Sequence, residues 1–402
     1  METINKNISG GSQVVVQKTV YPILFAVAIA HLFNDLLQAV IPASYPILKE
    51  NYNLSFTQIG LITLSYQLAA SILQPLVGLY TDKNPKPYGQ MYGMLFSLVG
   101  IIILAYASNF NFIIVAVLFI GIGSSIFHPE SSRISFLASG GKRGLAQSIF
   151  QLGGNAGTAI GPLLVAFIVV PRSQYHIVWF AIIALLALFV LYQIAFWYKN
   201  HLILRAKNKP EIVLPNLTKA QVNFSVFILL VLIFSKFFYT ASISNYFTFY
   251  LMDKFQLSIQ DAQFHLVWFL AACAVGTLIG GPLGDKFGRK YVIWFSVLGV
   301  APFSLMLPFA DLFWTGVLSV VIGMIISSAF PAILVYAQEL LPKKLGMVSG
   351  LFYGFAFGMG GLGSALLGSL ADKTSITYIY QLCAYLPLIG IVALFLPNLK
   401  KK

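Results

Sequence analysis

Long apolar runs, interrupted by short polar segments, follow one another along almost the whole chain. Each run is about as long as the 20-residue helix that crosses the hydrocarbon core of a bilayer. Membrane-spanning barrels instead show segments of about ten residues with alternating polarity. The pattern therefore predicts an all-α membrane protein with twelve transmembrane helices, at residues 20–42, 57–80, 89–108, 111–137, 145–170, 175–199, 222–250, 262–284, 290–309, 312–338, 347–370 and 376–397.

The composition agrees with a membrane location. Of the 402 residues, 58% are hydrophobic and 9% are charged, whereas soluble domains average about 25% charged residues. The chain shows no phosphate-binding loop of the P-loop type. Its two cysteines, Cys273 and Cys383, lie in predicted helices without the spacing of metal ligands or of a disulfide framework. We therefore expect no enzyme, no cofactor and no metal cluster.

The basic residues lie mostly on one side of the predicted membrane. If the N-terminus is cytoplasmic, twenty of the 25 Lys and Arg residues fall in cytoplasmic segments or at the helix ends beside them. This is the positive-inside distribution, so we predict that both termini are cytoplasmic and that the protein spans the inner (cytoplasmic) membrane. The formal net charge of +13 then reflects topology, and we expect no nucleic-acid partner.

The chain divides into two similar halves. We predict a cytoplasmic tail (1–19), a six-helix bundle (20–199), a cytoplasmic linker (200–221), a second six-helix bundle (222–398) and a final tail (399–402). The segments "GLYTDK" at 78–83 and "GPLGDKFGRK" at 281–290 begin the same element 203 residues apart, and two further pairs of segments repeat at nearly this offset. Two pseudo-symmetric six-helix bundles are the architecture of alternating-access transporters.

Three stretches resemble a known family. "GPLGDKFGRK" is similar to the loop motif of the major facilitator superfamily, G-x-L-x-D-(R/K)-x-G-R-(R/K). "AHLFNDLLQAVIPASYP" and "IFHPESSRISFLASGGKRGLAQSIFQLGGNAGTAIGPLL" resemble its fosmidomycin-resistance branch of drug/proton antiporters. The resemblance covers essentially the whole chain and implies the major facilitator fold, a monomer, and export of fosmidomycin, a phosphonate. It also implies a gating role for residues of the two repeated loops: Asp82, Lys83, Asp285 and Arg289.

Four polar residues share one face of the first predicted helix. His31, Asn34, Asp35 and Gln38 recur at spacings of three and four. An ionisable residue inside a bilayer is costly and is therefore a functional candidate. We expect Asp35, near the midplane, to carry a coupled proton together with His31, and Asn34 and Gln38 to contact substrate. The alternative is a carboxylate that its neighbours satisfy permanently.

The fourth predicted helix carries three charged or titratable residues within six positions. His128 and Glu130 are further proton-coupling candidates, and Arg133 is a candidate for binding an anionic substrate. Phe330, Ala332 and Val335 occupy the corresponding positions of the second half, so the fold itself does not require these residues there. The alternative is that Glu130 and Arg133 form an ion pair that fixes helix packing.

Lys236 lies about midway along the seventh predicted helix. It could neutralise Asp35 or Glu130, or bind an anionic substrate directly. The alternative is a lysine that extends its amine to the membrane interface. The remaining substrate-binding candidates are Gln67, Gln151, Asn155 and Tyr239, with Gln74, Asn245, Tyr336 and Tyr353 as weaker ones.

These features favour proton-coupled efflux of small polar or anionic drug-like compounds by alternating access. The expected partners are the small-molecule substrate, protons and the lipid bilayer. Two alternatives remain open: proton-coupled uptake of an organic anion or nutrient, and a non-transporting membrane receptor or lipid-handling protein.

Overall fold

The computed structural model describes residues 18–54, 56–169, 171–208, 215–257 and 259–399. Most of the predicted N-terminal tail, residues 209–214 of the predicted linker, residues 400–402 and the side chain of Asn245 lie outside this description. Every regular element in the described ranges is helical. The α-helices are α1 (Tyr21–Ala43), α2 (Tyr45–Tyr52), α3 (Phe56–Lys83), α4 (Gly89–Ala105), α5 (Phe110–Ala138), α6 (Arg143–Ile168), α7 (Phe180–Asn208), α8 (Lys219–Phe255), α9 (Ile259–Phe287), α10 (Arg289–Leu298), α11 (Ala301–Met306), α12 (Leu312–Ser327), α13 (Ala329–Leu340), α14 (Leu345–Lys373) and α15 (Ile376–Cys383).

These helices make twelve crossings. Within the described ranges, ten helical stretches are long and apolar enough to span a membrane. The shorter apolar helix α4, of 17 residues, and α6, of 26 residues, complete the set. Short 3₁₀ helices at Gln174–Trp179, Leu307–Phe309 and Leu386–Phe395 form parts of the sixth, ninth and twelfth crossings.

Three crossings that the sequence pattern predicted as continuous are broken. The twelfth divides into α15 and the 3₁₀ helix Leu386–Phe395. The ninth divides into α10, α11 and a 3₁₀ turn, and Pro302 and Pro308 stand at the beginnings of the later pieces. Proline lacks the N–H that would continue the preceding helix, which explains these breaks. The tenth divides at Ser328, three residues before Pro331. Its counterpart in the first half, α5, runs through Pro129 without interruption.

The two halves consist of α1–α7 and α8–α15. Helix α7 continues to Asn208, into the segment predicted as linker. Helix α8 begins after a capping box. The Thr218 hydroxyl accepts from the Gln221 N–H, and the Gln221 side-chain oxygen accepts from the Thr218 N–H. We call the end of the bundle at which α1 and α8 begin and α7 ends the linker side, and the opposite end the far side.

Helix α6 packs directly on the backbone of α1 through glycines. A Cβ atom on Gly153 would lie 2.0 Å from the Ala28 carbonyl oxygen, and one on Gly157 would lie 2.1 Å from that of Leu32. Neither distance can accommodate a side chain, so both positions require glycine. Small residues allow this close approach of membrane helices, and here the approach brings α6 against the polar face of α1.

Candidate functional site

The polar face of α1 converges on the carboxylate of Asp35. Asn34 Nδ2 donates to Asp35 Oδ1 at 3.0 Å, and Gln38 Nε2 donates to the same oxygen at 3.2 Å. His31 Nε2 lies 3.2 Å from Asp35 Oδ2. The hydroxyl of Tyr66, on α3, donates to Gln38 Oε1. The four polar residues of the stripe therefore form one connected group, which the sequence spacing alone could not show.

His128 of α5 completes the group from the side of a second helix. Its Nε2 lies 3.4 Å from Asp35 Oδ1 and 3.3 Å from His31 Nε2. The side chains of both histidines are at most 1% exposed, whereas that of Asp35 is 13% exposed. We call His31, Asp35 and His128 the histidine–aspartate cluster. It is buried on the histidine side and accessible from the side of the carboxylate.

The outer nitrogens of both imidazoles face main-chain carbonyls. His31 Nδ1 lies 2.7 Å from the Phe150 carbonyl oxygen, and His128 Nδ1 lies 3.1 Å from the Ser124 carbonyl oxygen. A carbonyl oxygen can only accept, so these two contacts favour the tautomer in which Nδ1 carries the proton. The Ser124 hydroxyl also lies 3.3 Å from His128 Nδ1. In the neutral rings both Nε2 atoms are then bare acceptors that face each other and the carboxylate. This arrangement of acceptors has room for one cation.

Helix α6 covers the histidine–aspartate cluster closely. The ring of Phe150 stacks on His31 with 4.0 Å between centroids. A Cβ atom on Gly154 would lie 2.5 Å from His31 Nε2 and 2.7 Å from Asp35 Oδ2, so a larger residue here would displace these two side chains. The glycine seam of α6 thus both packs the helix on α1 and makes room for the cluster.

The structure does not pair Lys236 with either predicted carboxylate. Asp35 contacts two histidines, Glu130 contacts an arginine, and no ion pair joins Lys236 to any carboxylate of the described residues. The Lys236 ammonium lies 4.8 Å from the ring centroid of Phe237 and 5.3 Å from that of Phe330. The residue is 7% exposed. A buried cation with aromatic neighbours and no described counter-ion is suited to an anionic ligand.

Aromatic rings connect Lys236 with the histidine–aspartate cluster across the two halves. The ring of Tyr353, on α14, lies 5.0 Å from that of Phe330 and 5.3 Å from that of His128. The Tyr353 hydroxyl donates to Gln151 Oε1 at 3.0 Å. Gln151 and Tyr353 are equivalent positions of the internal repeat, 202 residues apart. Tyr353, only a weak candidate in the sequence, therefore lies between the two charged groups.

Arg133, predicted to bind substrate, lies instead in an ion-pair network on the linker side. Its guanidinium contacts Asp82 Oδ1 at 2.6 Å and Glu130 Oε1 at 3.1 Å, and donates to the Thr81 carbonyl oxygen at 2.9 Å. The pairing of Glu130 with Arg133 follows the packing alternative considered for the sequence. Glu130 is 1% exposed, and its contacts lie away from the histidine–aspartate cluster. The partner Asp82 was hard to foresee because it lies 51 residues away in sequence.

Two carboxylates join the halves on the linker side. Asp82 of α3 accepts hydrogen bonds of 2.9 and 2.8 Å from the N–H groups of Gly346 and Met347, at the beginning of α14. Asp285 of α9 accepts bonds of 3.0 and 3.1 Å from the corresponding N–H groups at the beginning of α6. We call these the first and second latches. Each places a negative charge on a helix N-terminus, where it is favoured.

The second latch includes residues that the sequence analysis missed. Arg289 contacts Asp285 Oδ1 at 2.8 Å and Glu339 Oε2 at 3.1 Å, and Arg143 contacts Glu339 Oε1 at 3.0 Å. Glu339 lies just after the tenth predicted helix and Arg143 just before the fifth, so spacing along the chain does not bring them together. Both residues contribute to the second latch because Glu339, in the second half, pairs with Arg143, in the first half. Lys83, the remaining gating candidate, is exposed in the last turn of α3.

A buried polar cluster also joins the halves. The Ser132 hydroxyl lies 2.9 Å from Gln147 Nε2, 3.0 Å from Gln338 Nε2 and 3.1 Å from the Ser349 hydroxyl. All four residues are 0–1% exposed. The halves also meet backbone to backbone, since a Cβ atom on Gly144 would lie 2.1 Å from the Gly281 carbonyl oxygen. On its linker side the bundle is therefore shut.

The other predicted substrate-binding residues lie in several different parts of the molecule. Asn155 Oδ1 accepts from Gln151 Nε2 at 3.5 Å, and the amide oxygen of Gln67 faces Gly361 of α14. Gln74 is fully buried, and neither of its amide atoms has a partner among the described residues. Tyr239, predicted to bind substrate, lies instead in the apolar core of the second half at 2% exposure. The Tyr336 hydroxyl donates to the Pro397 carbonyl oxygen at 2.5 Å.

The sequence analysis expected no metal cluster, but the structure brings three residues with metal-ligating side chains together. His31, Asp35 and His128 each offer a ligand atom, and these atoms lie within 4.8 Å of one another. The sequence did not reveal the group because its members come from two helices and are up to 97 residues apart. Spacing along one helix, which the sequence analysis used, detects only His31 and Asp35.

Two pseudo-symmetric helical halves, charged residues buried between them and latches at one end define a membrane transporter of the alternating-access class. The sequence model of the Major Facilitator Superfamily matches residues 27–258 and 228–402. The Fosmidomycin resistance protein of Escherichia coli (strain K12) is 57% identical over 96% of this chain and 95% of its own length. An uncharacterized MFS-type transporter of Bacillus subtilis (strain 168), YfnC, is 46% identical over 95% and 94%. The crystal structure of the Major Facilitator Superfamily transporter FucP in the outward conformation superposes with a TM-score of 0.72 at 15% identity, over 95% of this chain and all of that one.

The chain belongs to the major facilitator superfamily, in its fosmidomycin-resistance branch. The predicted fold class is confirmed, and the protein is a multi-pass membrane transporter of small molecules and not an enzyme.

Proposed function

We propose that the protein exports small anionic drug-like compounds, with fosmidomycin as the first candidate, in exchange for protons. The observation that carries the proposal is the histidine–aspartate cluster, in which three acceptor groups face one another at 3.2–3.4 Å inside the membrane domain. Asp35 Oδ1 already accepts from Asn34 and Gln38, but a buried Nε2 atom without a donor costs about 1–3 kcal/mol. A proton shared among the three groups removes this cost. The candidate substrate follows from the 57% identical relative.

We infer that the linker side is cytoplasmic and that the protein spans the inner membrane. The described ends of the linker side carry most of the basic residues, among them Lys18, Lys142, Lys199, Lys290 and Lys343, as the positive-inside rule requires. With the linker side shut, the site exchanges with the outside. An exporter in this state releases substrate and receives a proton. Opening the latches then exposes the same site to the cytoplasm.

The substrate site lies beside Lys236 in this proposal. The ammonium provides the positive charge for a phosphonate or carboxylate, and Phe237 and Phe330 provide apolar walls. A ligand that extends from Lys236 towards His128 must displace the ring of Tyr353, which contacts both Phe330 and His128. That displacement also breaks the hydrogen bond from Tyr353 to Gln151. Substrate binding is thereby linked both to the proton site and to a contact between the halves.

One observation favours the second candidate, proton-coupled uptake. An anion on Lys236 adds negative charge near the histidine–aspartate cluster, and a nearby negative charge favours proton binding. In co-transport, substrate binding favours proton binding in this way. In exchange, substrate and proton must instead exclude each other. In our proposal the exclusion is steric and acts through Tyr353. The two functions therefore differ in the direction of proton flow that accompanies substrate.

The experiment uses purified protein in proteoliposomes and radiolabelled fosmidomycin. For Asp35→Asn we expect loss of transport driven by an imposed pH gradient, with retention of exchange between labelled and unlabelled substrate, because exchange needs no net proton movement. Retained exchange also shows that the variant folds. Asp311→Asn is the matched control, since this aspartate caps α12 on the protein surface by accepting from the Trp314 N–H at 2.8 Å. Gradient-driven transport at the wild-type rate in Asp35→Asn would overturn the proton assignment.

A further inference from the structure

We propose that the histidine–aspartate cluster is also a binding site for a divalent transition-metal ion of the Zn²⁺ or Co²⁺ type, with three protein ligands and one open position. The ligands are His31 Nε2, His128 Nε2 and the carboxylate of Asp35. This inference is independent of the direction of transport and of the identity of the substrate.

The distances between the ligand atoms fit a tetrahedral ion. Zinc binds imidazole nitrogen and carboxylate oxygen at about 2.0–2.2 Å, and a tetrahedron of that size has edges of about 3.3–3.5 Å. The Nε2 atoms of His31 and His128 lie 3.3 Å apart, His31 Nε2 lies 3.2 Å from Asp35 Oδ2, and His128 Nε2 lies 3.4 Å from Asp35 Oδ1. Each histidine therefore faces a different oxygen of the carboxylate. One ligand atom from each residue lies within 4.8 Å of the others. An ion between them would be bound by both carboxylate oxygens, or by one oxygen after rotation of the Asp35 carboxylate. Two imidazoles and one carboxylate are also a ligand set that such ions favour.

The groups behind the ligands are those that metal sites use. A metal-binding histidine generally donates its other N–H to a carbonyl or carboxylate, which fixes the nitrogen that faces the metal. His31 Nδ1 does this to the Phe150 carbonyl at 2.7 Å, and His128 Nδ1 to the Ser124 carbonyl at 3.1 Å. The Asp35 carboxylate is in turn held by Asn34 and Gln38. Both imidazoles therefore present an unprotonated nitrogen to the same point before any metal arrives.

The fourth, open coordination position of the ion would lie beside Asp35, the one of the three ligands whose side chain is partly exposed. The histidine side chains are at most 1% exposed and are covered by Phe150 and Gly154, while Asp35 is 13% exposed. An ion would enter past the carboxylate and keep a water molecule, or an oxygen of a small ligand, on that side. Three protein ligands and an open position are the arrangement of reactive rather than structural zinc sites.

The test is Co²⁺ binding to purified full-length protein without a histidine tag, followed by visible absorption spectroscopy. We expect the intense absorption bands of tetrahedral Co²⁺ at one equivalent, and their loss when Zn²⁺ is added. His128→Asn and Asp35→Asn should each abolish the tetrahedral bands. His265→Asn should leave them unchanged, because His265 lies on α9 and its Nδ1 lies 2.9 Å from the Asp261 carbonyl oxygen of its own helix, away from the histidine–aspartate cluster.

Gln38→Ala distinguishes an ordered metal site from nonspecific binding of the ion to the two histidines. Gln38 touches Asp35 and is not itself a ligand, and loss of such an outer contact typically weakens metal binding 10- to 100-fold. We expect the bands to persist with a Kd raised by about that factor. Substrate exchange in the same variants reports folding. Absence of tetrahedral bands in the wild type, or bands unaffected by His128→Asn, overturns the metal site and leaves proton-driven transport standing. Loss of proton coupling with the bands intact overturns only the proposed function.

Discussion

Replacing Asp82 by asparagine should shift the protein towards the state that is open on the linker side. The carboxylate accepts two backbone N–H bonds from the other half, at 2.9 and 2.8 Å, and pairs with Arg133 at 2.6 Å. Asparagine has one acceptor oxygen, so it keeps at most one N–H bond and loses the ion pair. The two N–H bonds join the halves only while the linker side is shut, whereas Arg133 belongs to the same half as Asp82.

The burial of the Asp82 side chain determines how far Asp82→Asn shifts the equilibrium between the shut and open states. Asp82 and Arg133 side chains are 6% and 9% exposed, so solvent screens their interaction only weakly. Hydrogen bonds to charged groups contribute about 1.5–3 kcal/mol each. The variant loses one of the two N–H bonds between the halves and keeps the other to a neutral oxygen, so we take about 2–3 kcal/mol for the shift. The Arg133 pair lies within the first half and is not included in this figure. Since about 1.4 kcal/mol is a factor of ten, the ratio of shut to open molecules should fall about 30- to 150-fold.

Distance measurements between spin labels on the two halves provide the assay. Exposed Lys86 and Lys343 are suitable label positions on the linker side, in a background in which Cys273 and Cys383 are replaced by serine. Asp82→Asn should add a population with a longer distance. Asp285→Asn should do so to a smaller extent, because Asp285 and Arg289 are 20% and 13% exposed. Unchanged distances in Asp82→Asn, matching those of the surface control Asp311→Asn, would refute the role of the first latch.

Three further substitutions test other parts of the account. Gly281→Ala places a methyl group 2.0 Å from a carbonyl oxygen of the first half, so the same labels should report opening, whereas Gly284→Ala, with 3.7 Å to its nearest neighbour, should not. Lys236→Gln removes the fixed cation, and we expect the KM for an anionic substrate to rise about 10- to 100-fold, the loss of one charge-assisted hydrogen bond, while Lys236→Arg retains most of the affinity. Gly154→Ala brings a methyl group 2.5 Å from His31 Nε2, and proteoliposome assays should show loss of pH-driven transport with substrate exchange retained.

The sequence predicted the twelve crossings, the duplicated halves and the functional face of α1. These properties depend on local hydrophobicity and on spacing along one helix, which the chain displays directly. The polar stripe is an example, since three of its members contact the fourth, Asp35. The internal repeat also located the two loops whose aspartates form the latches.

The partners of the charged residues could not be predicted in the same way. Arg133 and His128 lie five positions apart on α5, yet one contacts Asp82 and the other Asp35. Which partner each finds depends on how α5 is rotated between α3 and α1. Tyr239 was misplaced for the same reason, because α8 is apolar on almost every side and its sequence does not indicate which face meets the cavity. The role of Glu339 depends on the contact between the halves, which has no signature in a single chain.

The most direct test of proton-coupled export is the direction of the proton that accompanies substrate. Proteoliposomes are loaded with fosmidomycin and a fluorescent pH indicator and then diluted into substrate-free buffer of the same pH. As fosmidomycin leaves down its gradient, exchange brings protons inward, and we predict that the lumen becomes more acidic, at a rate abolished in Asp35→Asn. A lumen that becomes more alkaline, or efflux without any pH change in the wild type, would contradict the account.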